Sequence, residues 1–231
     1  MTGFAVDHVV IRTPGRDGLM RRIAEACGLA VLHGFTQGET IHSMGVRFAN
    51  GPFLDGFETQ APSTALILGG AVDEAERLAE AQGWAARFDR RETRPKEHPA
   101  FPWSMAMFRR GQGLLTQVSV IEYAPRPWDD PDFSGPLYRP ATEGTATLAR
   151  VWLSTSDLAR AELDLAALGY VAAGEVESDF WPHRGRRLGG PVADLVLFEG
   201  LDTVARLDIV TGGEARDLVI PDAPRLVLDE G

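Results

Sequence analysis

The chain has 231 residues and a formal net charge of -10, with 33 acidic against 23 basic side chains. That balance argues against a nucleic-acid partner, which needs a basic patch, and against attraction to an anionic membrane surface. One cysteine, Cys27, excludes an internal disulfide framework and a multi-cysteine zinc site, and with neither a signal-peptide pattern nor a bilayer-length apolar run the expectation is a cytoplasmic protein.

The first predicted strand is Val6–Ile11, with Asp7 and His8 inside it. A helix follows, on which Leu19, Ile23, Ala26 and Cys27 recur at helical spacing. Gly28 stands where a helix end favours a left-handed residue. Three extended segments come next, at 30–35, 41–48 and 53–57, separated by Gln37-Gly38 and Asn50-Gly51 turns. The same order restarts at Ser63–Leu68: a helix ending at Gly83, then strands at 104–108 and 114–123 joined by Gly111-Gln112-Gly113. It starts a third time at Arg150–Leu153. Here Ser156 and Asp157 offer N-cap chemistry, Leu158, Ala161, Leu165 and Leu168 form the apolar stripe, and Gly169 ends the helix. Strands at 194–198 and 204–210 complete this copy.

The unit is strand, helix, then three strands, and each copy carries an acid on the strand read as its last: Asp55, Glu122 and Asp208. Three such copies give an α+β protein of repeated βαβββ modules. Residues 1–125 hold modules one and two, 126–146 a proline-rich linker with packing aromatics, 147–213 the third module and 214–231 a tail that can add an edge segment. Module three is left with an unpaired sheet edge and an apolar face, to be covered by a homodimer partner, the tail or the linker.

The order of these elements resembles the vicinal oxygen chelate superfamily, which includes glyoxalase I, bleomycin-resistance proteins and extradiol dioxygenases, and most of all its glyoxalase-like domain proteins. The residues that carry the resemblance are Asp7-His8-Val9-Val10, Thr40-Ile41-His42-Ser43, Val46-Arg47-Phe48, Phe53-Leu54-Asp55, Val120-Ile121-Glu122-Tyr123 and Leu148-Ala149-Arg150-Val151. The resemblance implies that modules one and two pair, with curved sheets forming around a cavity, and that metal ligands lie on the first and last strand of each module. Carried over, these are His8 and Asp55 in module one and Glu122 in module two. The fourth position falls near Thr64 or Ala65, neither of them a good ligand. A divalent zinc, iron, nickel or manganese ion is the implied cofactor, and the empty fourth position keeps a metal-free site open.

Each candidate has a plainer alternative. His8 is either a ligand or a buried histidine satisfied by one hydrogen bond. Glu122 shares a strand face with Val118 and Val120, so it is either a ligand and catalytic group or an inward acid paired with an arginine. Asp55 competes with Glu58, on the opposite face, for one role. His42 is a candidate general acid/base or substrate-orienting group. His33, His98 and His183 read as loop or edge residues, the last two near a cavity mouth. Arg150 and Asp208 read as a structural ion pair, and Cys27 as a buried, inert thiol. Phe53, Phe57, Trp103, Met105 and Met107 are the expected ligand-contacting side chains.

Two functions follow from the resemblance. One is a metal-dependent isomerase, lyase or dioxygenase acting on a small molecule with adjacent oxygens. The other is a metal-free small-molecule-binding protein of the bleomycin-resistance kind.

Overall fold

Period-two burial separates the two faces of the long strands. In β1 (Ala5–Thr13), Val9 and Ile11 join the core beneath the helices, whereas His8, Val10 and Arg12 line a cavity on the opposite face. The computed structural model describes residues 3–37, 39–93, 103–109, 113–123, 135–139, 144–178, 181–212, 216–218 and 225–229.

Module one continues through α1 (Arg16–Cys27), β2 (Leu32–His33), the small hairpin of β3 (Thr36–Gln37) and β4 (Thr40–Ile41), β5 (Ser43–Arg47) and β6 (Phe53–Glu58). Module two comprises β7 (Ser63–Gly69), α2 (Val72–Gln82), β8 (Ala86–Asp89), β9 (Trp103–Phe108) and β10 (Val118–Tyr123). The stretch before β10 is a 3-10 turn, Gly113–Gln117, rather than the start of a long strand. Gly28 and Gly83 end α1 and α2 with φ of 62° and 68°, a region that L side chains rarely adopt.

Together the two modules form one eight-stranded sheet in the order β2-β5-β6-β1-β7-β10-β9-β8. Its centre is the antiparallel pair β1–β7, flanked by the parallel pairs β1–β6 and β7–β10.

Module three comprises β11 (Thr147–Thr155), α3 (Leu158–Ala167), β12 (Val171–Ser178), β13 (Trp181–Gly189) and β14 (Asp194–Glu199). It is followed by β15 (Thr203–Val210), β16 (Arg216–Leu218) and β17 (Arg225–Asp229) in a seven-stranded sheet, β12-β13-β14-β11-β15-β17-β16. The pairings repeat those of the first sheet. β11 runs parallel to β14 and antiparallel to β15, and β15 runs parallel to β17. The strand expected to close module three therefore opens a fourth unit, which has no helix among the described residues. Asp208 is the partner of Arg150 across this new strand and not a counterpart of Asp55.

The acid near the end of modules one and two has a structural task. Glu58 accepts hydrogen bonds from the backbone N–H groups of Gly15 (2.9 Å) and Arg16 (3.0 Å) at the start of α1. Glu122 accepts one from Val72 N–H (2.8 Å) at the start of α2. Neither helix has a side-chain cap of its own, so a carboxylate from the last strand satisfies donors that the helix leaves open and meets the positive end of its dipole. The α3 cap is the expected Asp157, which accepts from Arg160 N–H at 3.0 Å.

One core joins the two halves: Val9, Ile23, Leu54 and Leu66 share it with Leu148, Leu165, Leu195 and Leu207. Trp84 Nε1 donates to Asp164 across the halves at 3.2 Å, and Asn50 exchanges two hydrogen bonds with the backbone of Leu148. The apolar face of module three is thus covered by modules one and two, and the edge of β15 by β17. The reason for expecting a homodimer partner is met within the chain. Among the described residues, no helix is long and apolar enough to cross a membrane.

Candidate functional site

The open face of the first sheet encloses a cavity of about 550 Å³. β1 contributes His8, Val10 and Arg12, and β6 contributes Asp55 and Phe57. Ala65 and Ile67 come from β7, Ser119 and Ile121 from β10, and Trp103, Met105 and Met107 from β9. His42 and Phe35 stand at one side, their rings stacked at 5.0 Å. The wall is mostly apolar because the inward residues of five strands alternate with core residues of the other face. Val10, Ile67 and Ile121 form a cluster of their own against Phe57, Trp103, Met105 and Tyr123.

The polar groups gather at one end. His8 is buried, and its ring stacks on Phe53 at 4.5 Å with planes 13° apart. Its Nδ1 lies 2.6 Å from Asp7 Oδ1, the oxygen that also accepts from Tyr123 O–H at 3.0 Å. Asp55 is 2% exposed; its Oδ2 accepts from Tyr138 O–H at 2.9 Å, while its Oδ1 is buried without a hydrogen-bond partner among the described residues. Burial pushes the Asp55 carboxyl above the ordinary carboxylate range, and His8, Ser43, Tyr138 and Arg12 oppose that shift. Burial likewise raises the Tyr138 and Tyr123 phenols well above 10.0. It lowers the Arg47 guanidinium, whose charge Asp7 helps to keep.

Tyr138 comes from the segment expected to be a linker. Of its described residues, 135–139 pack over β5 and close the polar end. Ser43 Oγ lies 3.4 Å from the Tyr138 hydroxyl, and Arg47 donates to Leu137 C=O at 2.9 Å. A Cβ on Gly135 would come within 1.8 Å of Gly34 C=O, so this approach requires glycine there.

Of the expected site residues, the structure brings His8, Asp55, His42, Phe57, Trp103, Met105 and Met107 to one cavity. Two others are placed elsewhere. Glu122 shares the face of Val118 and Val120 as expected, but that face is the core beneath α2, and the carboxylate caps that helix. Phe53 is 1% exposed and lies under His8, Arg47 and Tyr138 instead of contacting the open space. His98 lies outside the described residues, as does the side chain of His183. Sequence reasoning missed Asp7, Tyr123 and Tyr138. The adjacency of Asp7 to His8 was the one available signal for the first of these.

Among the described residues the donor set does not fit a metal centre of the implied type. The register that pairs Val10 with Asp55 in module one pairs Ile67 with Ser119 in module two. Counterparts of His8 and Asp55 are therefore Ala65, which has no donor, and Ser119, a neutral hydroxyl. Metal sites in proteins draw three or four nitrogen, sulfur or carboxylate ligands. Among the described residues no group of three His, Cys, Asp or Glu comes together in that way.

No family model matches the sequence, and no curated protein matches it either. Solved structures do match the fold. A hypothetical protein from Staphylococcus aureus is similar over 98% of this chain and 99% of its own, with a TM-score of 0.66 and 6% identity. A variant of homoprotocatechuate 2,3-dioxygenase from B. fuscum matches over 98% of this chain and 71% of its own, with a TM-score of 0.64 and 12% identity. The 2,3-dioxygenase LapB from Pseudomonas sp. KL28 matches over 100% and 93%, with a TM-score of 0.64 and 11% identity. The chain thus has the vicinal oxygen chelate fold that extradiol dioxygenases share.

Proposed function

We propose that this chain holds a small organic molecule, an apolar or aromatic body bearing one or two oxygens, in the cavity of modules one and two, and that it does so without a metal ion. The observation that carries this reading is Asp55. A carboxyl group with an unpartnered oxygen is costly to bury, and here one whose Oδ1 has no partner among the described residues stands at the polar end of an otherwise apolar cavity. A ligand hydroxyl at that point satisfies Oδ1. Burial favours the protonated form of Asp55, and in that form the group donates to a ligand carbonyl or hydroxyl. Trp103, Met105, Ile67 and Ile121 receive the apolar body.

The test is calorimetric titration with phenol, catechol, 2-naphthol and, as the oxygen-free control, naphthalene. Binding of the oxygenated probes, reduced about tenfold or more in Asp55→Ala, supports the reading. No binding by any of them overturns it. Metal content is measured on the same protein, purified without chelator or affinity histidines. Stoichiometric zinc, iron, nickel or manganese that is lost in His8→Ala overturns the metal-free part.

A catalytic reading has its own observation: an imidazole and a carboxyl group, His8 and Asp55, face one cavity with His42 beside it. Proton transfer on a bound molecule with adjacent oxygens gives isomerase or lyase chemistry. Turnover of a bound hydroxyketone, abolished in His8→Ala, is the outcome expected of it. Binding without turnover leaves the protein a binder.

A further inference from the structure

We infer that Asp7 is a positioning residue for His8, and that a β-bulge in β1 brings the two together. The inference rests on the cavity reading for its purpose but not for its geometry. Neighbouring residues on a regular strand point to opposite faces, so an Asp-His dipeptide cannot normally form a side-chain pair facing one site. Here the β1–β7 ladder shifts register between Val6 and His8. The extra residue at the shift is Asp7. A bulge re-aims the side chain of the inserted residue, and Asp7 reaches the ring of its own neighbour at 2.6 Å.

Three contacts then fix the imidazole. Asp7 Oδ1 faces Nδ1, Tyr123 O–H donates to that same oxygen from β10, and Phe53 stacks against the ring face. A carboxylate can only accept from Nδ1, so the ring carries a proton there, and in the neutral ring Nε2 is then the acceptor. Nε2 makes no hydrogen bond among the described residues, and His8 lines the cavity. A bound hydroxyl therefore meets an acceptor at the neutral His8 ring beside the Asp55 carboxyl group, which sets the direction of its hydrogen bond to His8.

The second sheet supplies the control. Its ladder β11–β15 has the same shift, between Leu148 and Arg150. The bulged residue there is Ala149, and the position of His8 is taken by Arg150. The bulge thus belongs to the fold, and only module one fills it with a carboxylate and an imidazole.

The experiment reads the tautomer directly. Protein labelled with 15N-histidine is examined by long-range 1H–15N correlation at about pH 8, where an ordinary imidazole is neutral, and the His8 signals are identified by their loss in His8→Gln. The expected result is a proton on Nδ1 in the wild type, a shift toward Nε2–H in Asp7→Asn, and an unchanged tautomer in Tyr123→Phe. Phenol affinity falls about tenfold in Asp7→Asn and less in Tyr123→Phe. A wild-type His8 protonated on Nε2 overturns the inference, and this needs no variant to fold. A tautomer shift in Asp7→Asn without phenol binding by the wild type sinks the binding reading and leaves this one standing. Phenol binding with an unchanged ring in Asp7→Asn does the reverse.

Discussion

The two sheets present the same strand arrangement and opposite contents. On the first, the register places His8, Val10, Asp55, Ala65 and Ile67 around open space. At the matching places of the second stand Arg150, Trp152, Val196, Arg206 and Asp208. Trp152 and Arg206 fill what Val10 and Ala65 leave empty. Trp152 is fully buried, with the Arg206 guanidinium 4.6 Å from its ring centroid. Asp208, 0% exposed, accepts from Trp152 Nε1 at 2.8 Å, Arg206 Nε at 2.6 Å and Arg150 at 3.2 Å. One face has two large side chains and a saturated acid. The other has two small ones and an acid with an oxygen to spare. A cavity in this fold is thus decided by side-chain volume at two positions, not by the path of the backbone.

The largest effect expected of any change to this contrast is loss of the saturated acid. Asp208→Ala strands buried Arg206 and the Trp152 N–H, and should cost about 3–5 kcal/mol in urea unfolding. Trp152→Val imports the first face's small residue into the second and should cost ~3 kcal/mol. The space it opens should admit xenon in a pressurised crystal. The converse, Val10→Trp, should cost roughly 1–3 kcal/mol through overpacking while abolishing phenol uptake by the first cavity. Wild-type affinity in that variant would show that the cavity is not the binding site.

Asp55→Asn sharpens the contrast through pH. Burial raises the folded pKa of Asp55, so the folded state holds its proton more tightly than the unfolded chain. Its contribution is most favourable below the ordinary carboxylate pKa and is lost as pH rises through the raised folded value. Asparagine does not ionise. The Tm of the variant relative to wild type should therefore be higher at about pH 8 than at about pH 4, by ~2–4 °C for each kcal/mol involved. The smallest effect is at Glu122: Glu122→Ala should cost about 1 kcal/mol as a lost cap and leave phenol affinity unchanged, whereas a metal or catalytic role would change it.

The repeat was legible because each module needs the same local signals, namely a strand, an amphipathic helix ended by glycine, and turn residues between short strands. What misled was spacing. Asp208 follows Gly169 by the same interval that separates Glu122 from Gly83, yet one lies on the first strand of a new unit and the other on the last strand of its own. Strand identity is a matter of pairing, and pairing is long-range. The alternation that put Glu122 with Val118 and Val120 was read correctly, but alternation names two faces without saying which one looks into a cavity.

By itself, then, the sequence determined the α+β class, the βαβββ order and the candidates His8, Asp55 and His42, because periodicity, caps and residue chemistry are local. Only the tertiary structure decided that Glu122 caps a helix, that Tyr138 closes the site from 83 residues beyond Asp55, that β15 and β17 complete the second sheet, and that a bulge turns Asp7 toward His8. Each of these depends on which strands lie side by side, and contacts between segments far apart in the chain leave no periodic trace in it.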